Sequence, residues 1–470
     1  MPRLIIYTCA FGLMGLLSYT TLSQPQSQQR MDKSTYFDYN ETFFCEAHAL
    51  PSPSKDSTLI NIGFRMMYDL LDFRQLPTSA TLQRGMYSAT PTVIVEIRDD
   101  IGIIRYRNQW KDSIYTKTFE QTNSKTDFEY GAMNILLPVG KYSLTAILSE
   151  KENSQLRKVQ IPSIRAPSLD SVGISKPIFV EYFDTTSHVV VPLLAGGNAL
   201  FSTNNIYAIL ILSNVKDGDV YWYNCAPVAN TNTDIISEWG NIPEVGGRAI
   251  PILNTYLSPK QNSGQEPPNK PIYTLTTVAS SSLLSSFGLL TITLPASTIA
   301  PGKYKLSVAK VGTKDTAAQQ FEVVWENMPL AFRSTRYLVE SLYYIVSDDD
   351  FDAINSGSDV VKRRNVVKYW QKTFPSNDAV FNSTMAEYYR RVDYAYFNFQ
   401  AIGESDGSKS DRGKIYILHG SPTSIEKNIQ PGGQTQEIWK YSNKVKKEFI
   451  FELNSSSIYK LKEIIDVTAK

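Results

Sequence analysis

The sequence predicts a mostly β, multidomain chain: two tandem β-sandwiches followed by a C-terminal α+β domain in which helices precede a small antiparallel sheet. Three observations predict it. Up to Trp325, short apolar or alternating runs are bounded by turn residues. A five-residue string occurs twice with one difference, as Gly140-Lys-Tyr-Ser-Leu144 and Gly302-Lys-Tyr-Lys-Leu306. After Trp325 the apolar spacing becomes helical, and it reverts to alternation near the C-terminus. With 28 tyrosines and 21 phenylalanines among 470 residues, the composition also favours strands.

The first residues read as an export signal. Met1-Pro-Arg3 is a short positive start, Leu4 to Leu17 is almost wholly apolar, and Thr21-Leu22-Ser23 supplies a cleavage site before Gln24. The apolar run, about 14 residues, falls short of the about 20 that span a bilayer, so the mature chain is expected to have no transmembrane span. An uncleaved N-terminal anchor is the alternative. Cys9 lies inside the apolar run rather than after it, which argues against a lipid-modified cysteine. The expected address is the periplasm or the outer cell surface. The expected divisions are a signal peptide over 1–23, a linker over 24–39, sandwiches over 40–167 and 168–326, and the α+β domain over 327–470.

Elements follow in order. Thr58–Phe64 opens the first sandwich. Thr92–Arg98 and Ile103–Arg107 flank Asp99-Asp-Ile-Gly102 and predict a hairpin. Met133–Leu137, the strand after Pro138, and Arg157–Ile161 complete it. In the second sandwich Tyr207–Leu212 and Val220–Tyr223 are expected to pair across Lys216-Asp-Gly-Asp219, since Asp-Gly is a strong hairpin signal. Residues 254–271, rich in Asn, Pro, Gln and Ser, are expected to form a protruding loop. Leu289–Leu294, the strand after Pro301, and Phe321–Trp325 end the unit. In both units a proline and glycine turn the chain into a strand whose tyrosine can bond the backbone at the sandwich corner. That pattern makes both sandwiches Ig-like.

Beyond Trp325, Tyr337, Leu338, Leu342 and Ile345 follow a helix, and Ser347-Asp-Asp-Asp350 reads as an N-cap with first-turn acids. Val366, Trp370 and Phe374 mark another helix, stopped by Pro375. Thr384-x-x-Glu387 reads as a capping box opening a helix with an inward stripe of Met385, Tyr388 or Tyr389, Val392, Tyr396 and Phe399, ended by Gly403. From Lys414 the pattern reads as strand, followed by strands at Gln436–Tyr441, Lys447–Leu453 and Ser457–Leu461.

This last region resembles the GWxTD domain found in exported proteins of Bacteroidota and related bacteria. The matching residues are Tyr388-Tyr-Arg-Arg-Val392 with Tyr394 and Ala395, then Gly407, Asp411, Arg412 and Gly413, then Ile415-Tyr-Ile417. Gly420 with Pro422, Glu437-Ile-Trp439 with Tyr441, and Phe449 with Phe451 complete the set. The resemblance runs from near Leu330 to the end. The signature's tryptophan position is Ser408, its threonine is Ser410, and Pro422-Thr423 departs from the usual pair after Gly420. The resemblance implies export and Ig-like companions, and it carries no established catalytic residues.

Charge and cysteine usage narrow the chemistry. Lys and Arg number 47 against 46 acids, net +1, which excludes a nucleic-acid partner recruited by a basic surface. No Cys-x-x-Cys occurs and His48, His188 and His419 are scattered, so neither a zinc site nor any other cofactor is expected. Cys45 and Cys225 could bridge only if their Cα atoms come within about 7 Å, and they fall in different predicted domains.

The candidate functional turn comprises Gly407, Asp411, Arg412 and Gly413, with His419 beyond it. An arginine fork there could hold a carboxylate, phosphate or sugar hydroxyl. The structural reading has Asp411 capping the turn, Gly413 supplying a permissive φ, Arg412 pairing with a carboxylate of the preceding helix, and His419 half-buried. Gly403-Glu-Ser-Asp-Gly407 fits a hydrolase pattern, but that elbow needs a strand before Ser405 and a helix after it; the sequence gives the reverse order. Asp348-Asp-Asp350 with Asp352 lacks a calcium loop's alternation. Lys362-Arg-Arg364 with Lys368 and Lys372 reads as a solvated helix face. The leading expectation is a non-enzymatic envelope module that binds another envelope protein or a polysaccharide. The rival is an exported enzyme acting on glycans or peptides through carboxylates of the 404–411 loop.

Overall fold

The structure is a computed structural model that describes residues 42–467 except 55, 78–84, 150–154, 169–172, 229–237, 241, 261–269, 377–378, 403, 429–434 and 443–444. The predicted signal peptide and linker lie outside the described residues. Those described fall within one compact unit, Tyr39–Lys470, whose sheets and helices make up two sandwiches and a C-terminal body.

The first body is a sandwich of strands β1 (Phe43–Leu50), β2 (Ser57–Met67), β3 (Thr92–Asp99), β4 (Ile104–Lys111), β5 (Phe128–Pro138), β6 (Gly140–Ser149) and β7 (Gln155–Ala166). One sheet runs β1-β2-β5 and the other β7-β6-β3-β4. The pleat sends every second side chain inward. Ile60, Ile62, Phe64 and Met66 from β2 therefore meet Val93, Val95 and Ile97 from β3 and Leu144, Ala146 and Leu148 from β6 in the core. The hairpin at Asp99 forms as expected: its Oδ1 accepts from the Ile101 and Ile103 amides at 3.2 and 2.8 Å.

The second body repeats the plan with strands β8 (Ile178–Asp184), β9 (Val189–Pro192), β10 (Ile206–Leu212), β11 (Tyr221–Pro227), β12 (Val245–Ala249), β13 (Thr255–Pro259), β14 (Tyr273–Thr277), β15 (Gly288–Leu294), β16 (Gly302–Lys310) and β17 (Thr316–Val324). With a two-residue strand at the edge of each, the sheets run Ile252–Leu253, β15-β10-β8-β9-β14-β13 and Ala199–Leu200, β17-β16-β11-β12. Two expectations fail here. β10 and β11 are not a hairpin, because β8 and β15 occupy both edges of β10 and the Lys216–Asp219 turn carries the chain to the opposite sheet. Within 254–271, Thr255–Pro259 pairs with β14 as an edge strand instead of protruding; 261–269 lies outside the described residues.

The repeated string behaves as expected. The Tyr142 hydroxyl donates to the Pro138 carbonyl at 2.9 Å, and Tyr304 donates to the Ala300 carbonyl at 2.9 Å while accepting from the Ala300 amide at 3.1 Å. Each closes the corner between strands four residues back, the tyrosine corner of Ig-like sandwiches. Cys45 and Cys225 are buried in separate sandwiches and unbridged.

The two sandwiches join through a polar face. On β1 and β2 the outward side chains Glu46, His48, Asn61 and Arg65 are all at most 9% exposed, because the second sandwich covers them. His48 Nε2 donates to Glu46 at 2.9 Å, and its Nδ1 lies 2.6 Å from the Tyr273 hydroxyl. Tyr273 donates to Asn61 at 2.7 Å and Asn61 to Asn134 at 2.8 Å. The Gly197 amide donates to Glu46 at 2.9 Å, and Arg65 meets Glu326 at 2.6 Å. Burial works against the charge of Glu46, but the hydrogen bond and charge of His48, the Gly197 amide and Arg65 outweigh it and hold the carboxyl below its ordinary range.

The third body begins with helices α1 (Thr335–Glu340), α2 (Asp348–Ile354), α3 (Asp359–Thr373), α4 (Ser383–Asn398) and α5 (Asp411–His419). A sheet β18-β19-β20-β21 follows, built of Ser424–Asn428, Gln436–Tyr441, Lys447–Leu453 and Tyr459–Asp466. Ser347 caps α2 as read from the sequence. The cap of α4 is Asn382, not Thr384: its side chain accepts from Met385 N at 2.8 Å and donates to the Phe374 carbonyl at 2.7 Å, tying the end of α3 to the start of α4. α4 ends at Asn398, before Gly403, which lies outside the described residues. The expected strand at Lys414 is helix α5. Ile415 and Ile417 are both buried because the short helix is wedged against neighbours on two sides, which imitates strand alternation.

An aromatic cluster joins this body to the second sandwich. Phe201 and Trp325 lie 5.7 Å apart, Trp325 and Phe332 4.7 Å, and Phe332 and Tyr389 5.1 Å, with Trp239 and Phe381 packed around them. Arg363 leaves the expected solvated face: it pairs with Glu238 and donates to the Phe332 carbonyl at 2.7 Å.

Two outcomes follow from the corners and the polar face. Tyr304→Phe is expected to lower stability by about 1 kcal/mol in urea unfolding, and Tyr142→Phe, less enclosed, by less. Because the Glu46 pKa is lowered on folding, its contribution is complete above the unfolded carboxylate range and is lost as pH falls through the folded value. Glu46→Gln is therefore expected to cost about 3 kcal/mol at neutral pH, and the gap from wild type should narrow below about pH 4.

Candidate functional site

The candidate turn is assembled where α4, the Gly407–Lys409 turn and α5 cross. Two glycines allow the crossing. A Cβ on Gly413 would stand 2.0 Å from the Gly407 carbonyl oxygen, and one on Gly407 would stand 2.3 Å from that of Ala395. The expectation of a permissive φ at Gly413 is corrected, since it is an ordinary helical residue that needs space. Gly420, at φ +77°, is the glycine that needs the conformational freedom, and it ends α5.

Hydroxyls fix the turn. Ser410 Oγ accepts from the Gly413 amide at 2.9 Å and donates to the Gly407 carbonyl at 2.7 Å, so Ser410 and not Asp411 is the N-cap of α5. Ser408 is 4% exposed; its Oγ donates to Asp406 at 2.6 Å and accepts from Tyr337 at 3.0 Å, and its carbonyl accepts from Tyr344 at 3.0 Å. On α4, Tyr388 and Tyr389 donate to the Ser341 and Leu338 carbonyls at 2.5 and 2.9 Å, which satisfies groups left open where α1 ends.

Asp411 and Arg412 face the terminal sheet. Asp411 Oδ2 accepts from the Leu461 amide at 2.8 Å. Arg412 lies over the Tyr459 ring at 4.3 Å and reaches Glu437 at 3.5 Å, a carboxylate on β19 and not on the preceding helix as expected. Glu437, 4% exposed, also accepts from Trp439 Nε1 at 2.7 Å. His419 is half-buried at the far end of α5, stacked 5.4 Å from Phe449. Burial, with Lys447 and Arg391 nearby, lowers its pKa and keeps the ring neutral at neutral pH. His419 does not join the turn, whereas the four other candidates converge.

Other sequence candidates are resolved by their surroundings. Ser405 is exposed and follows α4 and an isolated bridge, without the strand an elbow requires; a helix follows where a strand was expected. Among the described residues no group of three or more His, Cys, Asp or Glu could hold a metal ion. None of the described helices is long and apolar enough to cross a membrane. The reading missed Tyr337 and Asp406 as partners of Ser408. It also missed Asp393, whose buried carboxylate accepts from the Leu330 and Ala331 amides at 2.6 and 3.3 Å. An acid inside an apolar helical stripe was the available signal.

Residues 303–463 match the GWxTD domain. The C-terminal body is a GWxTD domain. The match starts earlier than the expected Leu330 and takes in β16 and β17 of the second sandwich. Against the letters of the name, Gly407 and Asp411 are kept, Ser410 replaces threonine with the same capping hydroxyl, and Ser408 replaces tryptophan. No curated protein matches the chain. Two solved structures show slight likeness. One is the purple acid phosphatase PPD1 from yellow lupin (Lupinus luteus) seeds, at 9% identity and TM-score 0.16, covering 61% of this chain and 42% of that one. The other is the BSP domain of a biofilm-associated protein, at 8% identity and TM-score 0.17, covering 90% of this chain and 80% of that one.

Gly413→Ala is expected to prevent the GWxTD body from folding, seen as loss of its near-ultraviolet tryptophan signal, because a backbone atom blocks the added methyl. Arg412→Lys keeps the charge but loses the planar stacking on Tyr459, and should cost about 1 kcal/mol in denaturant unfolding.

Proposed function

We propose that the chain is an exported cell-envelope protein that works as a non-enzymatic binding or structural module, with an envelope protein or polysaccharide as its partner. The observation that carries this is how the GWxTD motif uses its polar groups. Asp411 binds the backbone of β21, Arg412 lies between Tyr459 and Glu437, and Ser410 caps α5. These groups hold the helices to the sheet and leave the motif as a scaffold. The signal-like start of the sequence supports export.

The rival reading, an exported enzyme acting on glycans or peptides, has one observation of its own. A carboxylate oxygen of Glu404 is buried without a hydrogen-bond partner among the described residues. Its neighbours do not extend this into an acid–base pair: Asp406 holds Ser408, and Asp411 holds Leu461.

Fractionation with protease shaving, together with cross-linking in cells and mass spectrometry, tests the proposal. The expected result is a processed chain in the envelope, cross-linked to an envelope component. An intact chain with its leader among soluble cell contents would overturn it. Asp411→Asn is expected to lower the melting temperature; loss of a measurable activity at unchanged melting temperature would instead establish the enzyme.

A further inference from the structure

We infer that the cleft in front of Ser408 is a binding site for an indole-sized aromatic group, the side chain of a tryptophan presented by a partner protein. The inference rests on the binding reading above and names its ligand. At the motif's tryptophan position this chain has a serine, and Ser408 forms part of the wall of a cleft of about 270 Å³. An apolar cavity of about 150 Å³ accepts a benzene ring, so this cleft has room for two fused rings.

The walls suit a flat apolar ring. Tyr337, Tyr343, Tyr344 and Phe351 line the cleft, with Tyr343 and Phe351 edge to face at 5.8 Å. Tyr343 is 53% exposed, a large apolar surface open to an occupant. Polar atoms deeper in the cleft already have partners. Tyr337 Oη bonds Ser408 Oγ, Tyr344 Oη bonds the Ser408 carbonyl, and Ser341 Oγ bonds the Tyr337 carbonyl at 2.7 Å. A sugar, which needs several hydrogen bonds, therefore finds few to make inside. At the rim Glu340 pairs with Arg336 at 2.6 Å and Lys409 at 3.4 Å, and its carboxylate can accept one N–H from an indole. The cleft is open to solvent, as a side chain arriving from a partner requires.

The probe is 5-fluoroindole titrated into the full chain and followed by fluorine NMR. Saturable binding is expected, weakened roughly tenfold by Tyr343→Ala, which removes an exposed wall. Ser408→Trp should fill the cleft from within and abolish binding. If that variant fails to fold, Tyr343→Ala decides. Absence of saturation in the wild type, unchanged affinity in Tyr343→Ala, or tighter binding of methyl glucoside than of fluoroindole would overturn the inference. Cellular cross-links that persist in a folded Ser408→Trp variant would sink this site while leaving the binding reading standing. Their loss would support both.

Discussion

Two backbone segments in the GWxTD body lie closer than any side chain permits. Because Gly407 and Gly413 carry no Cβ, α5 can start directly against the turn that leaves α4. The Ser410 cap, the seat of Asp411 on β21 and the placing of Arg412 between α5 and the sheet all require that contact. The charged motif residues Asp411 and Arg412 gain their geometry from the steric freedom of the neighbouring Gly413 and of Gly407. A close-packed crossing of this kind tolerates no added volume.

The two junctions between bodies use opposite chemistry. The sandwich-to-sandwich face buries charge and amide, acceptable because Glu46, His48, Asn61 and Tyr273 satisfy one another in a chain. The junction to the GWxTD body is a knot of rings, with edge-to-face contacts among Phe201, Trp325, Phe332 and Phe381. Geometry is directional in the first and volume-filling in the second. At both junctions each body buries a face of the next.

Much of the fold was legible because its signals are local. The tyrosine corners, the Asp99 hairpin and the Ser347 cap each depend on residues within about four positions, where turn and cap chemistry acts. The failures came from context. An Asp-Gly step promised a hairpin at Lys216–Asp219, but the neighbouring strand had no free edge. Ile415 and Ile417 looked like a strand because a helix buried on two sides loses its single-faced period. The residues of the candidate turn could be named from the sequence, while their partners Leu461, Glu437 and Tyr337 were invisible, being brought in by tertiary folding from distant parts of the chain. The Glu46–His48–Tyr273 chain was hidden for the same reason, with 225 positions separating its histidine and tyrosine.

The described cysteines have a consequence of their own. Cys45 and Cys225 sit in different cores, and burial raises both thiols, with Cys225 pushed up to about 12. A thiol held protonated and out of reach is inert to oxidants and alkylating agents. Each cysteine is thus a sealed label for its own sandwich. The order in which the two become reactive under mechanical load or mild denaturant reports which sandwich breathes first.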